Sequence, residues 1–193
     1  GMPGELCLVP TGLIDPFRIR WGSKPVKYLG LRFDRPVLDE DRLRTEGFTR
    51  MADQGRAEKI AIAGLSTRIE AVVDGGTSLV SKSAFVIQLT DSTLCPYAVS
   101  VLLNAATTNR IYDAAFGAIG FGAGSRNYRP PTLGALPLPP RELLARHEGG
   151  EPNERTLLSA IGQRLHVDDD GVSEMSGLLQ EAERAVRTAF GIE

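Results

Sequence analysis

Three short apolar runs crowd the stretch between residues 59 and 89, and only a sheet buries such runs at that spacing. Lys59-Ile60-Ala61-Ile62-Ala63 reads as one strand. Thr67 to Val73 reads as a second, with Ile69, Ala71 and Val73 on one face and Arg68, Glu70 and Val72 on the other. A turn at Asp74-Gly75-Gly76-Thr77 follows. Ala84 to Leu89 is the third strand, a near-continuous apolar run that asks for burial on both faces.

The flanking segments complete the pattern. Glu5 to Val9, Phe17 to Trp21 and Val26 to Phe33 read as short strands separated by Pro10, Gly12, Pro16 and Gly22. Asp39 to Gln54 reads as a helix weakened by Gly47. From Pro96 to Phe116 the apolar spacing turns helical, with Pro96 fitting a first turn. Leu133 to Pro140 is expected to be extended, because prolines 137, 139 and 140 forbid a helix. Two amphipathic helices, about Asn153 to Leu165 and Ser173 to Phe190, close the chain. The expected fold is α/β, more strictly α+β: a mixed twisted sheet with packed helices, followed by a C-terminal helical hairpin. Glu148-Gly149-Gly150-Glu151-Pro152 is the best boundary, giving an α/β domain over 1–147 and an acidic two-helix extension over 148–193.

Charge raises one question. Residues 1–140 hold 16 Lys/Arg against 13 Asp/Glu, a surplus of three, and residues 141–193 hold 6 against 11, a deficit of five. The basic residues thicken between Arg18 and Arg68, with 12 against 7 acids. A basic body with an acidic tail is compatible with a polyanion-binding face, and equally with ordinary solvated surface. Two cysteines and two histidines exclude a disulfide-stapled fold and a Cys/His zinc site within one chain. There is no apolar run of membrane-spanning length and no signal-peptide pattern, so a cytoplasmic protein without membrane contact is expected.

The enzyme motifs fail on context. Gly117 to Gly124 is rich in glycine, yet it follows a helix and leads into a proline-rich segment, whereas a phosphate loop follows a strand and opens a helix. Asp168-Asp169-Asp170-Gly171 misses the calcium-loop register, and both histidines lie in the tail, away in sequence from Cys7 and Cys95. The more informative set is basic and aromatic. Lys59, Arg68 and Lys82 flank the three strands, and Arg126, Tyr128 and Arg129 sit together beyond the glycine loop. Arginine contacts phosphates and guanine edges bidentately, and aromatic rings stack on or wedge beside bases. These six residues are the candidate DNA contacts.

The order of landmarks resembles a known family. Lys59-Ile60-Ala61-Ile62, Ala71-Val72-Val73-Asp74, Leu102-Leu103-Asn104 and Leu136-Pro137-Leu138-Pro139-Pro140, together with Tyr112 and Arg126 to Arg129, are similar to the C-terminal target-recognition domain of TaqI-like DNA adenine methyltransferases. A related arrangement occurs in the specificity subunits of type I restriction systems. The resemblance covers about residues 26–140, and Ala105 stands where the family pattern has a serine. It implies a recognition domain that contacts double-stranded DNA with loops. It also implies a separate DNA methyltransferase catalytic domain or subunit, which binds S-adenosylmethionine and flips the adenine. This chain lacks the Asn/Asp-Pro-Pro-Tyr/Phe motif and the methyl-donor glycine motif, so a non-catalytic module with no cofactor of its own is expected, as a fragment or a subunit. The acidic helices are expected to pack on the domain or on a partner subunit, a homodimer included. Two alternatives stand beside this reading: a protein-interaction module of the same fold, and a small nucleotide-binding enzyme using the Gly117–Gly124 loop.

Overall fold

A computed structural model of the chain describes residues 4–81, 84–117, 124–167 and 172–192. Strand β1 (Glu5–Val9) is followed by a 3-10 turn (Thr11–Leu13) and a small antiparallel pair, β2 (Ile14–Asp15) and β3 (Arg18–Ile19). The run Val26 to Phe33, expected as one strand, is a hairpin: β4 (Val26–Tyr28) and β5 (Leu31–Phe33) meet across Leu29 and Gly30. Both turn residues have positive φ, 50° and 83°, as a two-residue hairpin turn matched to strand twist requires. After β6 (Val37–Asp39), the expected single helix is two, α1 (Glu40–Thr45) and α2 (Thr49–Arg56). Gly47 lies in the break at φ 88°, a left-handed conformation that glycine adopts freely.

Strands β7 (Glu58–Ala63), β8 (Leu65–Ser66), β9 (Ala71–Gly75), β10 (Ser78–Val80) and β11 (Ala84–Ile87) follow. The second expected strand therefore begins late, and residues 67–70 form a loop. The helical stretch divides into α3 (Pro96–Asn104) and α4 (Ala106–Phe116), with Pro96 in the first turn. Then come β12 (Arg126–Asn127) and α5 (Pro130–Gly134), whose two leading prolines fit a first helical turn; only residues 135–140 of the segment expected to be extended lack helix. A 3-10 turn (Arg141–Leu144), α6 (Leu157–Val167) and α7 (Val172–Ala189) complete the α+β fold.

The strands do not form one sheet. β10, β1 and β6 make a mixed sheet, and β11, β7 and β9 an antiparallel one. The chain leaves the second for the first at the tight Asp74–Thr77 turn, which is why the expected single sheet is split. Alternation along β7 sorts the core. Ile60 and Ile62 face α3, α6 and α7, with Leu102, Ile161 and Val186. Ala61 and Ala63 face the N-terminal segment, with Val9, Leu13, Ile14 and Val26. Each fully buried Leu or Ile adds about 1.5–3 kcal/mol, so a strand buried on both faces anchors both layers.

The segment after residue 147 shares this core. Leu158, Ile161, Leu165, Leu178, Ala182 and Val186 bury their side chains in the same cluster as α3, so the apolar stripes of α6 and α7 are used within the chain. Gly162 lets α6 approach α3 closely: a Cβ there would stand 2.5 Å from the Tyr97 carbonyl oxygen. Ser159 ties the junction, accepting the His147 N–H at 2.9 Å and donating to Cys95 Sγ at 2.9 Å. The change at 148 is one of composition, not of core.

Candidate nucleic-acid interface

Lys59 is no surface contact. Its side chain is 1 % exposed, with Nζ 2.7 Å from Asp74 Oδ2 and donating to the carbonyls of Gly55 and Ala57. Asp74 in turn accepts the N–H groups of Gly76, Thr77 and Ser78 and the hydroxyls of Thr77 and Ser78. Burial pushes the Asp74 carboxyl up, and the bonds from Lys59, Ser78 and Thr77 outweigh it and hold it below the usual carboxylate range. A lysine placed at the start of a central strand, under α2, has this carboxylate as its nearest acceptor. Lys59, expected from the sequence as a DNA contact, therefore belongs to the frame.

β9 is an edge strand, and its outward backbone groups are satisfied by helix side chains. The Ile69 N–H just before it donates to Asn109 Oδ1 at 2.7 Å. The Ala71 N–H donates to Asn104 Oδ1 at 2.9 Å, while Asn104 Nδ2 donates to the Ala71 carbonyl at 2.7 Å. The Val73 N–H donates to His166 Nε2 at 3.0 Å. This alternation closes an edge that would otherwise be open to pairing. His166 Nδ1 lies 2.6 Å from the Gly162 carbonyl, so Nδ1 carries the proton and the ring is neutral. Its ring stands edge-on to Phe17 and Tyr97, at centroid distances of 5.4 and 5.0 Å. Burial lowers its pKa, opposed by the bond to Gly162.

The loop between β7 and β9 carries the exposed arginine. β8 pairs with β12 in the register Ser66↔Arg126 and Leu65↔Asn127, which docks residues 124–129 against this loop. Arg126, 27 % exposed, holds Asp113 with both arms of its guanidinium, at 2.6 and 2.7 Å, and donates to the Thr67 carbonyl. It is a brace, not a free cation, because the α4 carboxylate is within reach. Tyr128 is fully buried, its N–H bonded to the Gly64 carbonyl and its ring 5.0 Å from that of Tyr112. Burial pushes its hydroxyl pKa far up. It cannot stack on a base, because its aromatic surface completes the core.

Arg68 and Arg129 are exposed, and the antiparallel register places them beyond opposite ends of the short β8–β12 ladder. Lys82 lies outside the described residues, as do positions 118–123 of the glycine loop and the Asp168–Gly171 run. Close to Arg68 is Glu70, half-buried; burial and Asp15 raise its pKa, while Arg68, Arg20 and Lys24 lower it. Arg20 is bridged to Asp15. Arg68 and Lys24 are exposed and form no ion pair among the described residues.

Five of the twelve basic residues from Arg18 to Arg68 form ion pairs within the chain: Arg20 with Asp15, Lys59 with Asp74, and three more in the helical segment. Arg42 pairs with Glu46, Arg44 with Glu40 and Asp53, and Arg56 with Glu40. The exposed cations of this stretch without an ion pair among the described residues include Lys24, Lys27, Arg32, Arg35, Arg50 and Arg68, and the sequence reading missed the hairpin that carries Lys27 and Arg32. The signal was present as Leu29-Gly30, a two-residue interruption inside an apparent strand. One acid of the tail is engaged with the domain. Glu183 of α7 accepts from the Thr107 N–H and hydroxyl at the start of α4, and from Arg110.

Other chemistry is sparse. Cys7 and Cys95 are buried thiols. Among the described residues no group of three or more His, Cys, Asp or Glu is placed to hold a metal ion, and no helix is long and apolar enough to cross a membrane. An apolar cavity of about 340 Å³ lies between β11, α3 and α5. No protein-family model matches the chain, and no curated protein is significantly similar to it.

Proposed function

We propose that the chain is a DNA-specificity module of the kind its resemblance implies, reading duplex DNA with loops while a separate methyltransferase domain or subunit supplies S-adenosylmethionine chemistry. One observation carries the reading. Arg68 is exposed on a loop whose backbone is held on both sides: Thr67 by Arg126, Ile69 by Asn109, and the Arg68 carbonyl by the Ser66 hydroxyl. A backbone braced at three points and carrying a guanidinium with no ion pair among the described residues suits recognition, because little ordering remains to be done on binding. Lys24, exposed before the β4–β5 hairpin, and Arg129 at the far end of the ribbon supply phosphate contacts. Arg126 positions the loop and touches no DNA.

The test is fluorescence anisotropy with a random-sequence duplex between about 50 and 200 mM salt. Arg68→Ala and Arg129→Ala are each expected to weaken binding, and to reduce the salt slope by about one for each phosphate no longer held. Wild-type chain that fails to bind at low salt refutes the reading and leaves the protein-interaction module in its place.

A further inference from the structure

The β4–β5 hairpin carries features that folding alone does not explain. In its register Lys27 faces Arg32 directly across the two strands, an arrangement of like charges that destabilises a hairpin. Both are exposed, and neither forms an ion pair among the described residues. No Asp or Glu occurs from Lys24 to Phe33. At the tip, Leu29 adopts φ 50°, a left-handed conformation in which its Cβ crowds the backbone and which Asn or Gly would occupy with less strain. Leu29 is also 87 % exposed, and Leu31 beside it 63 %. An apolar residue that is strained and bathed in water contributes nothing to the core beneath it.

The base of the hairpin is firm, in contrast. Val26 is buried with Val9, Leu13 and Ala61, and Tyr28 packs against the Leu6–Leu8–Leu79 cluster. Trp21 Nε1 donates to the Pro36 carbonyl at 2.9 Å, and the Arg35 guanidinium lies over the Trp21 ring. A two-stranded ribbon thus stands on a packed base with both cations on one face and aliphatic groups at its tip.

We propose that this hairpin is a groove-entering ribbon for duplex DNA, with Lys27 and Arg32 on phosphates and Leu29 against the apolar edges of bases or sugars. The proposal rests on the duplex reading above and extends its interface beyond Arg68. Charge complementarity selects the partner: an acid-free cationic ribbon favours a polyanion over a neutral or basic protein surface. Two-stranded ribbons fit DNA grooves, and aliphatic side chains wedge at base steps.

The test compares wild type, Lys27→Glu/Arg32→Glu, Leu29→Asn and Arg68→Ala by duplex anisotropy over a salt series, with urea unfolding of each variant. The charge reversal is expected to weaken binding at least tenfold and to lower the salt slope by about two, for two phosphate contacts. Leu29→Asn is expected to leave the unfolding midpoint unchanged or raised while affinity falls several-fold. A purely structural residue would not separate the two readouts in that direction. If both hairpin variants bind as wild type while Arg68→Ala is weakened, the ribbon is overturned and the duplex reading stands. If wild type binds no duplex, both fall. Binding of wild type to phosphatidylserine vesicles but not to DNA, abolished by the charge reversal, would assign the hairpin to a membrane surface and also overturn the proposal. A lowered unfolding midpoint for Leu29→Asn would place Leu29 in packing and remove it from the ribbon's function.

Discussion

Removing either half of the Lys59–Asp74 pair should unbalance the frame unequally, and the inequality follows from the hydrogen-bond inventory. Lys59→Met deletes one of six donors to Asp74; the carboxylate keeps three N–H groups and two hydroxyls. Breaking a buried pair typically costs about 3–5 kcal/mol, and with five donors retained the expected loss is about 2–3 kcal/mol. Asp74→Ala leaves the ammonium at 1 % exposure with two carbonyls for company and strips the turn of its acceptor. The buried Gly76 and Ser78 N–H groups then lack partners, at about 1–3 kcal/mol each before relaxation. The expected loss is about 5 kcal/mol, a large part of the usual stability of a domain. The double variant should cost less than the sum, because the two residues share one interaction. Equilibrium urea unfolding, followed through Trp21, measures all three. A Lys59→Met loss equal to or above that of Asp74→Ala would refute this account of the pair. The same protein carries a functional readout. Folded Lys59→Met should bind duplex with wild-type affinity and salt slope, since Lys59 never reaches the surface; a reduced slope would reinstate it as a phosphate contact.

Two further outcomes test the helical side. Because the His166 pKa is lowered by burial, the native state binds fewer protons there than the unfolded chain, whose value is about 6.5. Its contribution should be complete above that pH and drain away as pH falls toward the folded value, a dependence that urea midpoints at pH 7.5 and 5.5 would show and that His166→Gln would flatten. Gly162→Ala should cost about 2–3 kcal/mol by forcing α6 off the Tyr97 carbonyl, read by thermal unfolding; a neutral effect would mean that the two helices are not in backbone contact.

The fold is legible wherever period and composition act locally. β1, β7 and α3 lie where alternation and helical spacing put them, because each buries a face that the pattern itself defines. Legibility fails where a single residue reverses the chain. Leu29 is the sharpest case: an aliphatic side chain inside an apparent strand gives no hint of a positive φ, so two strands read as one. At Ala105 the helical spacing continues on both sides of a residue in extended conformation, and α3 and α4 merge in the pattern. Asn104, the last residue of α3, turns its side chain to the Ala71 backbone there, a tertiary contact that the spacing cannot show.

The candidate site divides along the same line, and the division has a reason. Lys59, Asp74 and Asn104, three residues of the segments on which the resemblance rests, are consumed by internal bonding: the first two by one another, the third by the β9 edge. Residues bonded in this way report the frame and say nothing about what the frame holds. Lys59, Arg126 and Tyr128 enter a candidate interface read from sequence because a sequence shows charges and rings without their partners. Pairing is a tertiary property: Asp113 neutralises Arg126 from 13 residues away and Asp74 neutralises Lys59 across two strands. What remains cationic after such pairing is the quantity that a polyanion would sense. By that measure the proposed interface moves from the strand starts toward Arg68, Lys24 and the Lys27–Arg32 ribbon, with Arg35 and Arg50 also left unpaired among the described residues.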